Sequence, residues 1–208
     1  MLVDQSLVEG LKFDEESHVY TYEGEVYAGV TETLQFFGFG GKSFENVPEW
    51  ALEMGRMRHL TTQLYDENAL DMDTLDPKLV PALDAWKLWR SDNPEIEFHS
   101  IECRVADHGT KTAGTIDRIV KVGDEFWVVD IKGQTSSPSY QLQLQAYAWM
   151  ARNYVGTVEE PAQFSRLLSV HLLKNGKYKE KEYEPCLSDW LNIAHAYRLV
   201  REGAYGRK

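Results

Sequence analysis

The sequence predicts an α/β protein in which strands and helices alternate along one chain. Three observations carry this. Gly123-Asp124 lies between two segments rich in Val, Ile, Trp and Phe, the pattern of a β-hairpin whose two-residue loop uses glycine at positive φ. Asn175-Gly176 marks another hairpin between residues 164–173 and 178–183. Around these lie four segments with helical apolar spacing, near 48–65, 77–89, 140–154 and 187–201.

In chain order, residues 18–30 alternate aromatic and β-branched side chains around Glu23-Gly24 and predict a hairpin. Thr31 is positioned to cap a short helix with Leu34 and Phe37 on one side. Gly38 to Gly41 reads as a flexible loop. Gly41-Lys42-Ser43 lacks the strand and glycine lead-in of a phosphate-binding loop. Pro48 opens the next helix, with Trp50, Met54, Met57 and Leu64 as its apolar stripe. On that helix Gly55 and His59 share a face, and the glycine would allow close approach to another backbone. A second helix carries Leu79, Leu83, Trp86 and Trp89, with Pro81 in its first turn.

Residues 96–106 form a strand, and Asp107 to Thr110 a turn. With a four-residue turn Glu102 falls opposite Thr115. It is then a candidate third acid, against the alternative of a solvent-facing glutamate. His108 is expected to be exposed. After the central hairpin, a helix from Tyr140 places Gln143 and Tyr147 on one face. The final helix has Ser188 as its cap and Trp190, Ile193, Ala194, Tyr197 and Val200 as its buried stripe, followed by a frayed tail.

The 208 residues, 43% apolar and 12% aromatic, suit one folded domain spanning 1–208. It would have a hairpin and loop appendage at 1–47 and a core at 48–203. A net charge of −11 argues against a broad nucleic-acid-binding surface, yet basic residues can cluster in one groove. Candidate clusters are Arg56 with Arg58, Lys111 with Arg118 and Lys121, and Lys174 to Lys181, the last reading more simply as a solvated face. No apolar run reaches membrane-spanning length and no signal peptide opens the chain, so no membrane partner and a cytoplasmic location are expected. Cys103 and Cys186 have no metal-binding or redox spacing.

The central hairpin carries the chemistry. Its loop puts Asp117 directly opposite Asp130, with Cβ atoms about 5 Å apart. Strand alternation adds Thr115 to the Asp117 face and Lys132 to the Asp130 face. Opposed carboxylates repel unless a cation joins them, and oxygen donors suit a hard ion such as Mg2+, for which Mn2+ would substitute. With the Lys132 ammonium beside them, the pair predicts metal-assisted phosphodiester hydrolysis. The alternative is a solvated acid pair with a neighbouring lysine.

These residues also carry a resemblance. Gly114-Thr-Ile-Asp117, then Asp130-Ile-Lys132, then Gln143 to Tyr147, together with Gly55 to His59 upstream, resemble the PD-(D/E)XK nuclease superfamily and its RecB-like and phage exonuclease branch. His18-Val-Tyr20 and Gly24 to Thr31 are similar to phage members. The resemblance implies a restriction-endonuclease-like mixed central β-sheet flanked by helices. It implies metal coordination by His59, Asp117, Asp130 and the Ile131 carbonyl, with Glu102 as a further candidate. Lys132 would activate or orient water, and Gln143 and Tyr147 would organise the site. Substrate contacts would come from Arg56, Arg58, Thr115, Arg118, Gln143 and Tyr147.

The implied activity is a two-metal DNA exonuclease of recombination, repair or replication. Its partners would be single-stranded or duplex DNA ends and an annealing recombinase or single-strand-binding protein. An inactive DNA- or recombinase-binding module and an endonuclease of the same fold remain alternatives. Two features depart from the pattern. Gln63 stands where many relatives have glutamate, and two cysteines cannot hold the iron–sulfur cluster that some relatives bind through four.

Overall fold

The computed structural model describes residues 6–39 and 48–203. Strands are β1 (Lys12–Asp14), β2 (Val19–Tyr22), β3 (Glu25–Gly29), β4 (Glu97–Asp107), β5 (Thr112–Val122), β6 (Glu125–Lys132), β7 (Phe164–Leu172) and β8 (Tyr178–Tyr183). Helices are α1 (Val30–Phe36), α2 (Glu49–Asp66), α3 (Val80–Asp92), α4 (Ser139–Val155) and α5 (Leu187–Arg201). The strands form one mixed sheet in the order β1-β2-β3-β5-β6-β7-β8, with β4 against β5 off that path. This is the predicted α/β class, a mixed central sheet flanked by helices.

Burial assigns the faces. One apolar cluster joins Leu144, Met150 and Ala151 of α4 and Trp190 of α5 to Ile119, Val128 and Leu167 of the sheet. The other joins Trp86 and Trp89 of α3 to Val120, Val129, Leu168 and Val170. Neighbouring residues such as Ile119 and Val120, or Val128 and Val129, thus serve opposite layers. That requires strands hydrophobic on both sides, as the continuous Val/Ile runs are.

The hairpin at 18–30, expected as part of an appendage over 1–47, continues the main sheet, because β3 pairs in parallel with β5 through Ala28–Thr112 and Gly29–Ala113. β4 runs along one edge of β5, so β3 and β6 share the other. Their pairings stop at Ala113 and start again at Arg118, leaving Gly114 to Asp117 between them. The functional hairpin residues lie in this gap.

Several local expectations are corrected. Gly29, not Thr31, precedes α1, because β3 runs straight into the helix; Phe37 ends that helix and is exposed. The stripe predicted for α2 is not its buried face. Trp50 is 70% exposed, and the buried side chains are Thr61 and Thr62, whose hydroxyls bond the carbonyls of Met57 and His59. This helix packs on α3 and overhangs a groove instead of covering the sheet. Cys186, not Ser188, precedes α5 and makes no side-chain capping bond, and Val200 is exposed. β1 was not anticipated. The expected loop at Gly40 and Gly41, with Lys42-Ser43, and the tail at 204–208 lie outside the described residues.

Candidate active site

The β5–β6 hairpin has the predicted register. Val122 pairs with Glu125 and the ladder runs to Arg118–Val129, with Gly123 at φ +60°. The next facing positions are Asp117 and Asp130. The ladder gives way there to a side-chain bond, in which the Ile131 N–H donates to Asp117 Oδ2 at 2.5 Å. Both acids are buried, Asp117 at 6% and Asp130 at 1% exposure. Burying two such carboxylates is costly without compensating positive charge. That charge comes from Lys132, ion-paired with Asp130 Oδ2, and from His59, whose Nδ1 lies 3.3 Å from Asp117 Oδ2.

Helix α4 completes the arrangement. Lys132 Nζ donates to Gln143 Oε1 at 3.1 Å, and Gln143 Nε2 donates to the Tyr147 hydroxyl at 2.8 Å. Tyr147 lies hard against β5: a Cβ at Gly114 would sit 2.8 Å from Tyr147 Cε1 and 3.2 Å from Val30 Cγ2. The glycine before Thr115 is therefore what lets α4 reach the acid pair.

The charges tune one another. Burial, then the neighbouring Asp117 carboxylate, push the Asp130 pKa up to about 6 despite the opposing pull of Lys132. For Asp117 burial is outweighed by His59, with help from Lys132, and its pKa is lowered. Burial disfavours the His59 imidazolium, but Asp117 and Glu102 overcome this and raise its pKa to about 10. Burial also disfavours the Lys132 ammonium, yet Asp130 and Asp117 outweigh it and raise that pKa too. Burial and the negative charge of Asp130 keep the Tyr147 hydroxyl protonated.

Glu102 joins the site by a register other than the predicted one. The four-residue turn is His108 to Lys111, so Arg104, not Glu102, pairs with Thr115. Glu102 lies between the rungs Cys103–Ile116 and Ile101–Arg118, alongside Asp117, with φ at +47°. Its Oε1 is 3.8 Å from His59 Nδ1. Donor atoms of His59, Glu102 and Asp117 all lie within 4.8 Å of one another. One imidazole with two carboxylates is a donor set for a divalent cation such as Mg2+ or Mn2+. Close by, the buried Asp130 Oδ2 is ion-paired with Lys132, and its carboxylate also feels the charges of His59 and Asp117. The residues present therefore fit a divalent ion.

The other predicted residues are distributed unevenly. Thr115 lines the groove in front of the site, its hydroxyl 2.9 Å from that of Tyr20. Arg56 stands exposed on the groove wall near Glu53, and Arg58 is half-buried against Gly133, just after Lys132. Gln63 also lines the groove and donates to Glu67. Gly55 does not bring two backbones together, since a Cβ there would meet nothing within 4 Å; it opens the groove instead. Ile131 is wholly buried, its N–H held by Asp117.

Arg118 is a correction. It does not face substrate: it is fully buried and bonds Asp66, Glu102, Thr62 and the Asp117 carbonyl. The basic cluster of Lys111, Arg118 and Lys121 does not form. Lys111 pairs with Glu25 before β5 begins, whereas Lys121 lies at the far end of the strand opposite Glu97.

A family model described as the PD-(D/E)XK nuclease superfamily matches residues 46–203. No curated protein matches. Among solved structures, one provisionally described as an exonuclease, from Eubacterium rectale, superposes with TM-score 0.55 at 14% identity, over 88% of this chain and 83% of that one. The structure of SSO0001 aligns over 83% of this chain and 84% of that one at 16% identity, but with a TM-score of only 0.35.

Proposed function

From the premise that this chain belongs to the PD-(D/E)XK nuclease superfamily, we propose that it is a metal-dependent deoxyribonuclease that degrades DNA from an end. The observation that carries the reading is the convergence of Asp117, Asp130 and Lys132 beside the His59 and Glu102 donors.

His59, Glu102 and Asp117 would hold the cation, with Asp130 and the Ile131 carbonyl completing the ligand set. Divalent ions held there would supply Lewis-acid charge for hydrolysis of the phosphodiester, in the two-metal form of the reaction. Lys132 adds a positive charge where negative charge develops on the phosphate and gives an entering water a fixed donor. Gln143 fixes that ammonium from the far side, and Tyr147 steadies Gln143. Arg56 on the groove wall and Arg58 beside Gly133 would contact phosphates of the substrate strand. Action from an end accords with the motif set and with the description of the Eubacterium rectale protein. The setting is phage-type recombination, repair or replication, beside an annealing or single-strand-binding protein.

The test is digestion of end-labelled linear DNA and of closed circular DNA with Mg2+, with Mn2+ and with chelator. Metal-dependent loss of linear DNA, abolished in Asp130→Ala, is expected. Cleavage of the closed circle would assign an endonuclease. No cleavage of any DNA would leave a binding module.

A further inference from the structure

The groove that ends at His59, Glu102 and Thr115 holds about 740 Å3 and has a wall that none of the site chemistry uses. Three rings from the N-terminal hairpin line it. Tyr20 is buried at the inner end, its hydroxyl on Thr115 of β5, the strand that also carries Asp117. Phe13 is half-buried and stacks on Tyr20, with centroids 4.4 Å apart and planes at 30°. His18 is exposed at the outer end, 5.6 Å from Phe13.

The turn presenting His18 is built. Asp14 accepts hydrogen bonds from the Ser17 N–H and hydroxyl at 2.7 and 2.6 Å, His18 Nδ1 is 2.8 Å from the Glu15 carbonyl oxygen, and His18 takes φ +55°. Across the groove, Gly55 leaves open space where any other residue would project a side chain. Arg56, His59 and Arg104 also line it, together with the carboxylates of Glu15 and Glu102.

Resting on the nuclease reading above, we propose that Phe13 and His18 form a stacking subsite for unpaired nucleobases next to the scissile phosphate, so that the strand enters single-stranded. Every nucleobase has a π face, so a wall of rings binds bases without selecting sequence. A base inside a duplex has both faces covered by its neighbours and the last pair at an end leaves one face free, so stacking bases in succession on such a wall requires an unpaired strand. The wall starts at Thr115, on the strand that bears Asp117, and runs outward through Phe13 to His18 in the same groove, so the stacked base belongs to the strand whose phosphate reaches the acids.

The test measures binding of a short single-stranded DNA oligonucleotide in chelator, which prevents hydrolysis, while one abasic nucleotide is moved stepwise from the end. Wild type is expected to lose about tenfold in affinity at one or two positions beside the cleavage point. Phe13→Leu and His18→Ala should each weaken binding of the intact strand to a similar extent and no longer respond to the abasic position. The scan on unaltered protein guards against misfolding of either variant. A flat scan, or variants that bind the intact strand like wild type, overturns the subsite. If magnesium-dependent cleavage persists alongside a flat scan, the nuclease reading stands and only the subsite falls. If wild type neither binds nor cuts DNA, both fall.

Discussion

Arg118 Nε lies 2.8 Å from Asp66 Oδ2, with both side chains essentially sealed from solvent. The same guanidinium holds Glu102 at 3.0 Å and Thr62 at 3.2 Å, and so ties the end of α2 and one candidate metal donor to β5. Removing one partner of a buried pair leaves an uncompensated charge. Arg118→Met should therefore cost about 3–5 kcal/mol. Adding Asp66→Leu should recover part of that loss. Urea unfolding of the two single variants and the double variant measures this, and additive losses would show the pair to be uncoupled.

Lys132 and Asp130 should separate stability from activity. The folded-state pKa of Asp130 is raised to about 6 from 3.8. The native state thus binds this proton more tightly than the unfolded chain, and its stabilising contribution fades as pH rises from about 4 to 6. At pH 7.5 Asp130→Asn should cost little stability, because Lys132 keeps the Asp117 charge and its bond to Gln143, while cleavage falls roughly a hundredfold or more. Lys132→Ala should also abolish cleavage but lower stability, because it strands the buried carboxylate. Equal melting temperatures for the two variants would contradict this ordering.

Two glycines predict opposite outcomes. Gly114→Ala drives a methyl group into Tyr147 and Val30, which should cost about 1–3 kcal/mol and displace Tyr147 from Gln143. Gly55→Ala places its methyl in open space in the interior of α2 and should stabilise by about 0.5–1 kcal/mol. Paired thermal melts and single-turnover cleavage rates distinguish them.

Divalent ions should stabilise the protein. At ten times its dissociation constant a native-state ligand adds about 1.4 kcal/mol. Mn2+ should raise the melting temperature of wild type and have a reduced effect on Glu102→Gln. An unchanged shift in that variant would remove Glu102 from the donor set.

Burial raises the Cys103 thiol pKa from 9.0 to about 12, whereas Cys186 is exposed. Native protein at pH 8 should therefore react with one equivalent of a thiol reagent, and unfolded protein with two. The unfolded thiol ionises at lower pH than the folded one, so stability should fall as pH rises above about 9. Cys103→Ala should flatten that part of the stability curve.

Local chemistry was legible in the sequence. Gly123-Asp124 fixed the register that sets Asp117 against Asp130, since a two-residue turn admits one pairing and alternation then assigns Lys132. Helical spacing likewise located α3, α4 and α5 and put Gln143 within reach of Tyr147. What only the tertiary structure decided depends on partners distant in the chain. Glu102 entered the site because the longer turn closed one residue later than the pattern suggested. Arg118 looked like a surface cation, since nothing local shows that Asp66, Thr62 and Glu102 would gather to compensate its burial. The ring wall exists because two short rungs join β3 to β5, a long-range pairing with no local signature.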